Sequence, residues 1–358
     1  MALINEAHIL ANNMEKKVKT DVNIKKDNLF YKENIINFFK KFMPLIGVII
    51  LIYLIVSIGT DKILSTILKI SPIYIVIAVA INIPRVLIRN YSWQLIFKKQ
   101  RIKVSFTKSL KIYLIGYYYG VITPGYTGEL VRIPYLKEES KEPTGKLFIN
   151  TFIEVVLHTM SLNFMMIFGT ILIIEELPIA FPIATAYLLV QLVIYIYLFK
   201  KERGENLFNF LINLLTPKKI RHHLLKFTGT FYNDFPRLRD LVLPFILGIP
   251  EWILIYSSIY ILGIPLGITV PYFEFILIYP IANVISFIPI TMAGLGTREA
   301  ALILLFSFYG VPAQSALVLS LAGHIFTDVL CGFVGLIISW FEAINNKKSV
   351  ISLEESFK

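Results

Sequence analysis

Six long apolar runs dominate the chain, at about 43–60, 71–97, 147–174, 177–199, 240–264 and 313–341. Each is long enough, or nearly so, to cross a hydrocarbon core of ~30 Å as a helix of ~20 residues. Two further apolar regions are broken. One spans 112–136 and is interrupted at Thr123-Pro124-Gly125 and again by Gly128 and Pro134. The other spans 273–309 and is interrupted at Pro289 and at Gly294-Leu295-Gly296, leaving a last piece, 298–309, too short to span. The pattern predicts an all-α polytopic membrane protein.

Composition supports this assignment. Of 358 residues 56% are hydrophobic and only 16% charged, against about 25% charged in soluble domains. The single cysteine, Cys331, allows neither an intrachain disulfide nor a Cys-based metal site. Residues 1–43 are polar, without the apolar core of a signal peptide, and read as a cytosolic tail. The net charge of +11 sits in short segments beside the apolar runs, a pattern that orients a membrane chain and attracts anionic lipid. No basic stripe interleaved with stacking aromatics points to nucleic acid.

Charge also sets the expected topology. Residues 1–43 hold eight Lys against five acids, and residues 200–239 hold nine Lys/Arg against three. Residues 95–111 hold Lys98, Lys99, Arg101, Lys103, Lys108 and Lys111 with no acid. All three are expected on the cytoplasmic side. That is consistent only if 112–136 enters and leaves on that side, and if 273–309 dips in from the other. The expected fold is then an inverted-topology repeat with six full spans and two re-entrant pairs. Its parts are a tail at 1–42, a first repeat at 43–174, a second at 175–341 with a cytosolic linker at 200–239, and a tail at 342–358. Many secondary transporters use this arrangement for alternating access. The competing pattern is eight ordinary helices, two of them kinked. Residues 204–216 read as an amphipathic helix on the cytoplasmic surface.

The breaks carry the candidate chemistry. Pro124, Gly125 and Gly128 precede Glu129 and Arg132; Gly294 and Gly296 precede Arg298 and Glu299. Irregular backbone at membrane depth must be buried in protein or line a wet cavity. Glycine allows close approach to a ligand, and a helix N-terminus suits a phosphate. Glu129 and Arg132 can share a helix face, whereas the adjacent Arg298 and Glu299 are expected in different sectors. An ionisable residue inside the membrane is costly and a functional candidate, and Arg is the best two-pronged partner for phosphate. The expectation is that Arg132 and Arg298 hold an anionic head group while Glu129 and Glu299 orient them or exchange a proton or cation. The alternative is that each Arg/Glu set only neutralises itself.

Arg85, Arg89, Glu154, His158, Glu251, His324 and Asp328 also fall inside spans. Glu154 and His158, like His324 and Asp328, are four apart and stacked on one helix face. Glu154, His158 and Asp328 are candidate relay positions. Arg89 is a candidate head-group contact, with snorkelling as its alternative. Tyr119, in Tyr117-Tyr118-Tyr119, is a further candidate, with an interfacial aromatic belt as its alternative.

The stretches TPGYTGELVRIPYL and FIPITMAGLGTREAALILLF, with GVPAQSAL after the second, resemble the lysylphosphatidylglycerol synthase transmembrane-region family, also called flippase-like. Its usual motifs are P-G-x-x-G-E-x-x-R early and G-x-G-x-R-E-A late. Arg89 to Trp93 is similar to its R-W element. The resemblance covers about 44–341 and implies carriage of a polar lipid, phospho- or polyprenyl-linked. It does not imply aminoacyl transfer, since the chain carries no appended soluble domain. Where the family often has E-R-x-x-D in the third full span, this chain has Glu154, Val155 and His158.

The expected function is therefore transfer of a phosphate-bearing lipid between leaflets of the cell membrane, with both termini cytoplasmic. The expected partners are lipids with anionic head groups, and a second copy of the chain or a lipid-synthesising enzyme is compatible with that reading. No cofactor and no metal site is expected. A membrane lipid-modifying enzyme is the main rival, but the chain has six Asp in all, no HExxH and no GxxxxGK. A small-solute or ion-coupled carrier is the second rival, and a structural partner the third.

Overall fold

A computed structural model of the chain describes residues 49–123, 125–199, 203–207, 210, 225, 228–232, 234–287, 291 and 294–342. Both expected tails lie outside these residues, apart from Glu342. So do Pro124, Pro289 and much of the 200–239 linker. The expected surface helix at 204–216 is described only at 204–207 and 210, which are helical.

The described residues are helical and contain no strand. In chain order the helices are α1 (Ile49–Ile58), α2 (Thr60–Ile67), α3 (Pro72–Lys99), α4 (Phe106–Val121), α5 (Arg132–Ser140), α6 (Thr144–Leu172) and α7 (Ala180–Phe199). They continue with α8 (Leu238–Gly263), α9 (Tyr272–Phe287), α10 (Thr297–Ser307) and α11 (Ala313–Glu342). Five are long and apolar enough to cross a membrane: α3, α6, α7, α8 extended to Leu266, and α11. The pair α1–α2 makes a sixth if it counts as one span, although it bends by 88°. The bend sits at Gly59, whose φ of 99° is open to glycine and strained for other residues. The expected first span, 43–60, is therefore seen from Ile49 onward and turns at its end.

The long helices are patterned inside out. On α3, Val76 and Ile83 are 62% and 63% exposed, while Arg85, Arg89 and Asn90 are buried. Such a face has no stable place in water, where exposed apolar patches associate; in lipid it is the outer surface of a bundle with polar contents. Pro72 begins α3, where its missing N–H costs no helical bond, and Lys98 and Lys99 close it against the negative dipole end.

Helices α3 and α8 pack together through small and polar side chains. Ser258 donates to the Ala78 carbonyl at 2.8 Å, Asn82 to Ser258 at 3.3 Å, and Ser92 to the Pro244 carbonyl at 3.2 Å. The Ser161 hydroxyl of α6 donates to the Phe245 carbonyl of α8 at 2.7 Å. Within a bilayer such contacts average about 0.6 kcal/mol and fix helix positions more than they add stability. Two apolar cores flank this central pair. One joins Trp93, Phe97, Tyr113 and Leu136 from α3, α4 and α5; the other joins Phe275, Tyr279, Leu302 and Phe306 from α9 and α10. Each core packs one interrupted helix pair.

Candidate functional site

The first break follows α4. Gly125 and Tyr126 adopt φ of 60° and 56°, a 3-10 turn runs Thr127–Val131, and α5 begins at Arg132. Thr123 ties the loop: its hydroxyl donates to the Tyr119 carbonyl at 2.9 Å and accepts from the Gly128 N–H at 2.7 Å. A Cβ on Gly128 would lie 2.1 Å from the Tyr119 carbonyl oxygen, so only glycine allows this approach. The second break precedes α10. Gly294, at φ 75°, leaves no room for a Cβ, which would fall 2.1 Å from that of Ser286. The two breaks meet: the Tyr126 and Phe287 rings lie 5.6 Å apart, edge to face.

Their tips border one chamber of about 200 Å³. Its charged lining is Arg85 and Arg89 from α3, Glu129 from the first break, Glu251 from α8, Arg298 from α10 and Asp328 from α11, together with His158 and His324. Tyr113, Tyr117, Trp252 and Tyr279 supply aromatic walls.

The charges form two networks. In the first, Arg132 lies 2.7 Å from Glu129 and 2.8 Å from Glu154, and the second oxygen of Glu154 accepts from the Arg89 Nε. Arg89 also faces Glu251 at 3.6 Å, and Glu251 lies 3.0 Å from the His158 Nδ1. The Arg132 guanidinium sits over the Tyr113 and Trp93 rings, 4.9 and 5.3 Å from their centroids. Gly116 and Gly120 on α4 make the space, since a Cβ on Gly116 would fall 2.3 Å from the Arg132 Cγ.

In the second network Arg298 donates to the Glu299 carboxylate at 2.9 Å and to the Ser320 hydroxyl at 3.0 Å, and faces the His324 Nδ1 at 3.4 Å. Ser320 donates to the same Glu299 oxygen at 2.7 Å. The other Glu299 oxygen turns back to the Gly296 N–H, so the carboxylate takes one of the open amides of α10. The His324 Nδ1 lies 2.9 Å from one oxygen of Asp328, and the Tyr117 hydroxyl donates to the other at 2.5 Å. His324 to Val329 form a π turn inside α11, a feature frequent at functional sites.

Of the residues singled out from sequence, Gly125, Glu129, Arg89, His158, Arg298 and Asp328 line the chamber. Arg132, Glu154 and Glu299 are buried beside it as partners of those residues. Gly128, Gly294 and Gly296 shape the breaks. Tyr119 packs on Tyr118, 5.0 Å between ring centroids, and does not line the chamber; Tyr117, two residues earlier, does. Adjacent Arg298 and Glu299, expected in different sectors, pair directly because the guanidinium folds along the helix onto the carboxylate. Glu154 and His158, stacked on one helix face, reach different partners: Glu154 turns to Arg89 of α3 and His158 to Glu251 of α8. Sequence reasoning passed over Tyr113, Tyr117 and Trp252. The usable signal for the tyrosines was Gly116 and Gly120: they share a helical face with Tyr113 and Tyr117 that points away from Tyr119.

Relatives match this chain in sequence. The UPF0104 membrane protein MJ1595 of Methanocaldococcus jannaschii is 22% identical over 317 residues, covering 82% of this chain and 92% of its own. A UPF0104 membrane protein of Methanothermobacter thermautotrophicus is 22% identical over 291 residues, covering 76% of this chain and 86% of its own. A second match in that organism is 27% identical over 120 residues, 34% of each chain. The family model for the lysylphosphatidylglycerol synthase TM region matches residues 44–335, a stretch that includes α1 through most of α11 and every residue of the chamber. This chain is therefore a multi-pass integral membrane protein of the lysylphosphatidylglycerol synthase TM-region family.

Proposed function

We propose that this protein moves a phosphate-bearing lipid, phospho- or polyprenyl-linked, between the leaflets of the cell membrane. One observation carries the reading: two interrupted helix pairs bring their tips to a single polar chamber inside an otherwise apolar bundle. Buried arginines are expensive in lipid; carboxylates pair with Arg89, Arg132 and Arg298, and a phosphate is a fitting partner for a guanidinium without one. In this reading the two halves, 43–174 and 175–341, are inverted repeats. The broken segments 112–136 and 273–309 are re-entrant, and rocking of one half against the other exposes the chamber to each leaflet in turn. The basic segments orient both termini to the cytoplasm. The protein is a carrier without catalytic chemistry of its own, and a lipid-synthesising enzyme is the partner that supplies or consumes its lipid. In the same reading Glu129, Glu154, His158 and Asp328 couple transfer to a proton or cation.

The test uses the purified full chain in phosphatidylcholine vesicles carrying a head-group-labelled anionic lipid in both leaflets. A membrane-impermeant quencher reads how much label becomes accessible. The expected result is accessibility beyond the outer-leaflet half, reduced by Arg298→Ala. Vesicles containing the protein that behave like protein-free vesicles would remove this reading.

A further inference from the structure

Four arginines are buried in or beside the chamber, and three are already engaged. Arg89 binds Glu154 and faces Glu251. Arg132 lies between Glu129 and Glu154. Arg298 is held by Glu299 and Ser320. Arg85 differs. It is 1% exposed and lines the chamber, yet it makes no ion pair with any carboxylate among the described residues. Its Nη1 donates to the Tyr117 hydroxyl at 3.4 Å, with the guanidinium 5.3 Å over the Tyr117 ring, and its other side-chain neighbour is the uncharged Cys331 thiol. Its Nε and Nη2 are buried without a hydrogen-bond partner among the described residues; those of Arg132 share this, but the Arg132 Nη2 has Glu129 at 2.7 Å and the Arg85 atoms have no carboxylate.

These two atoms are neighbours on one edge of the guanidinium, the side-on face that meets two oxygens of a phosphate or phosphodiester at once. Asp328, which could have neutralised Arg85, is committed elsewhere: one oxygen accepts from Tyr117 and the other faces His324. Tyr117 thus keeps the acid and the cation one hydroxyl apart. A buried cation without a counter-charge costs stability, and a buried donor pair without acceptors adds to that cost. A ligand that supplies an oxyanion would remove both costs.

We infer that Arg85 is the residue that takes the phosphate oxyanion in this chamber, with Tyr117 as its positioning residue. Arg132 and Arg298 then shape the field around the anion while remaining bound to their own carboxylates. The inference rests on the lipid-carrier reading for the source of the phosphate, and on the chamber geometry alone for the site.

The test measures calorimetric binding of two probes to the full chain in detergent: inorganic phosphate and dihexanoyl phosphatidylglycerol, with dihexanoylglycerol as the phosphate-free control. Wild type is expected to bind at least one phosphate probe and not the control. Arg85→Gln is expected to weaken that binding roughly tenfold or more, as for loss of a charge-assisted pair. Arg85→Lys is expected to fall between them, because an ammonium is a point charge without the two-pronged face. Ligand-free Arg85→Gln should melt at or above the wild-type temperature. Equal binding by wild type and Arg85→Gln, no binding of either probe by wild type, or an Arg85→Gln chain that does not fold would each overturn the assignment. The last would show that the cation is held for the fold. Arg85-dependent binding without leaflet transfer would remove the carrier reading and leave the site. Transfer with binding indifferent to Arg85 would do the reverse.

Discussion

The Tyr126 ring meets the Phe287 ring edge to face, 5.6 Å between centroids, and this contact joins two loops 161 positions apart in the chain (287 − 126). Tyr126 stands at φ 56° immediately before the 3-10 turn, and Phe287 ends α9 immediately before the second break. The pair therefore registers the two breaks against one another.

Alanine at 126 and at 287, singly and together, should therefore show coupling. Aromatic pairs of this geometry contribute about 0.5–1.5 kcal/mol beyond their buried area. A double-mutant cycle on thermal or denaturant unfolding in detergent is expected to return a value in that range. Strict additivity would show that the tips are held by other contacts.

Arg132 is fully buried between two carboxylates. Removing it as Arg132→Ala leaves Glu129 and Glu154 with less counter-charge in a low-dielectric interior, which costs about 3–5 kcal/mol for a broken buried pair. The variant should be poorly folded, and a second change, Glu129→Gln, should restore part of the loss, because Glu154 keeps Arg89 while Glu129 loses its ion-pair partner. Unfolding midpoints of the two variants check this. The same comparison separates a stability defect from a binding defect, since Arg85→Gln is expected to leave the midpoint intact.

Gly116 owes its place to the Arg132 stem rather than to the backbone. Gly116→Ala would set a methyl group 2.3 Å from the Arg132 Cγ and 2.5 Å from its Nε, so the guanidinium must shift away from Glu154. Overpacking of this kind costs about 1–3 kcal/mol. Gly332→Ala on α11 is the control, because the nearest atom to its Cβ is 3.5 Å away, an ordinary contact. The first variant should melt lower than wild type and the second should not.

Outside the spans, Asp234 accepts from the Lys146 Nζ at 3.0 Å and lies 3.9 Å from Arg101. The Lys146 hydrogen bond, with the charge of that lysine, holds the Asp234 carboxyl below its ordinary value. A depressed carboxyl stabilises the fold above its unfolded pKa, and the contribution disappears as pH falls through the folded pKa. Asp234→Asn should thus lower the unfolding midpoint slightly near neutral pH. The difference from wild type should shrink to nothing in acid, below the ordinary aspartate range. The effect is small because Asp234 is partly exposed to water.

Much of the fold was legible because lipid imposes simple rules. Uninterrupted apolar length marks α3, α6, α7, α8 and α11, since each backbone polar group must be satisfied within its own helix. Pro and Gly mark the breaks for the same reason. The 88° turn at Gly59 was not legible, because a lone glycine at the end of an apolar run does not distinguish a bend from a helix end. At the site, ionisable type drew attention to Arg132, Arg298, Glu129 and Asp328, but type does not say which charge is already paired. Arg85 and Arg132 look equivalent as letters. They differ only because Glu129 and Glu154 converge on one and none of the described carboxylates pairs with the other, a difference of tertiary placement. Tyr119 lies nearer the break in sequence than Tyr117, but helical phase decides which ring faces inward.

The π turn at His324–Val329 has a consequence for how the site and the span can vary separately. A helix that widens for one turn takes in an extra residue without rotating the turns beyond it. Deleting one residue there would let the span close into regular coil while the stretch from Leu330 to Glu342 kept its facing toward lipid and neighbours. The local offset that turns His324 and Asp328 toward Arg298 and Tyr117 would be lost. A single amino acid of chain length thus divides a plain hydrophobic crossing from one that presents a histidine and an aspartate to the chamber.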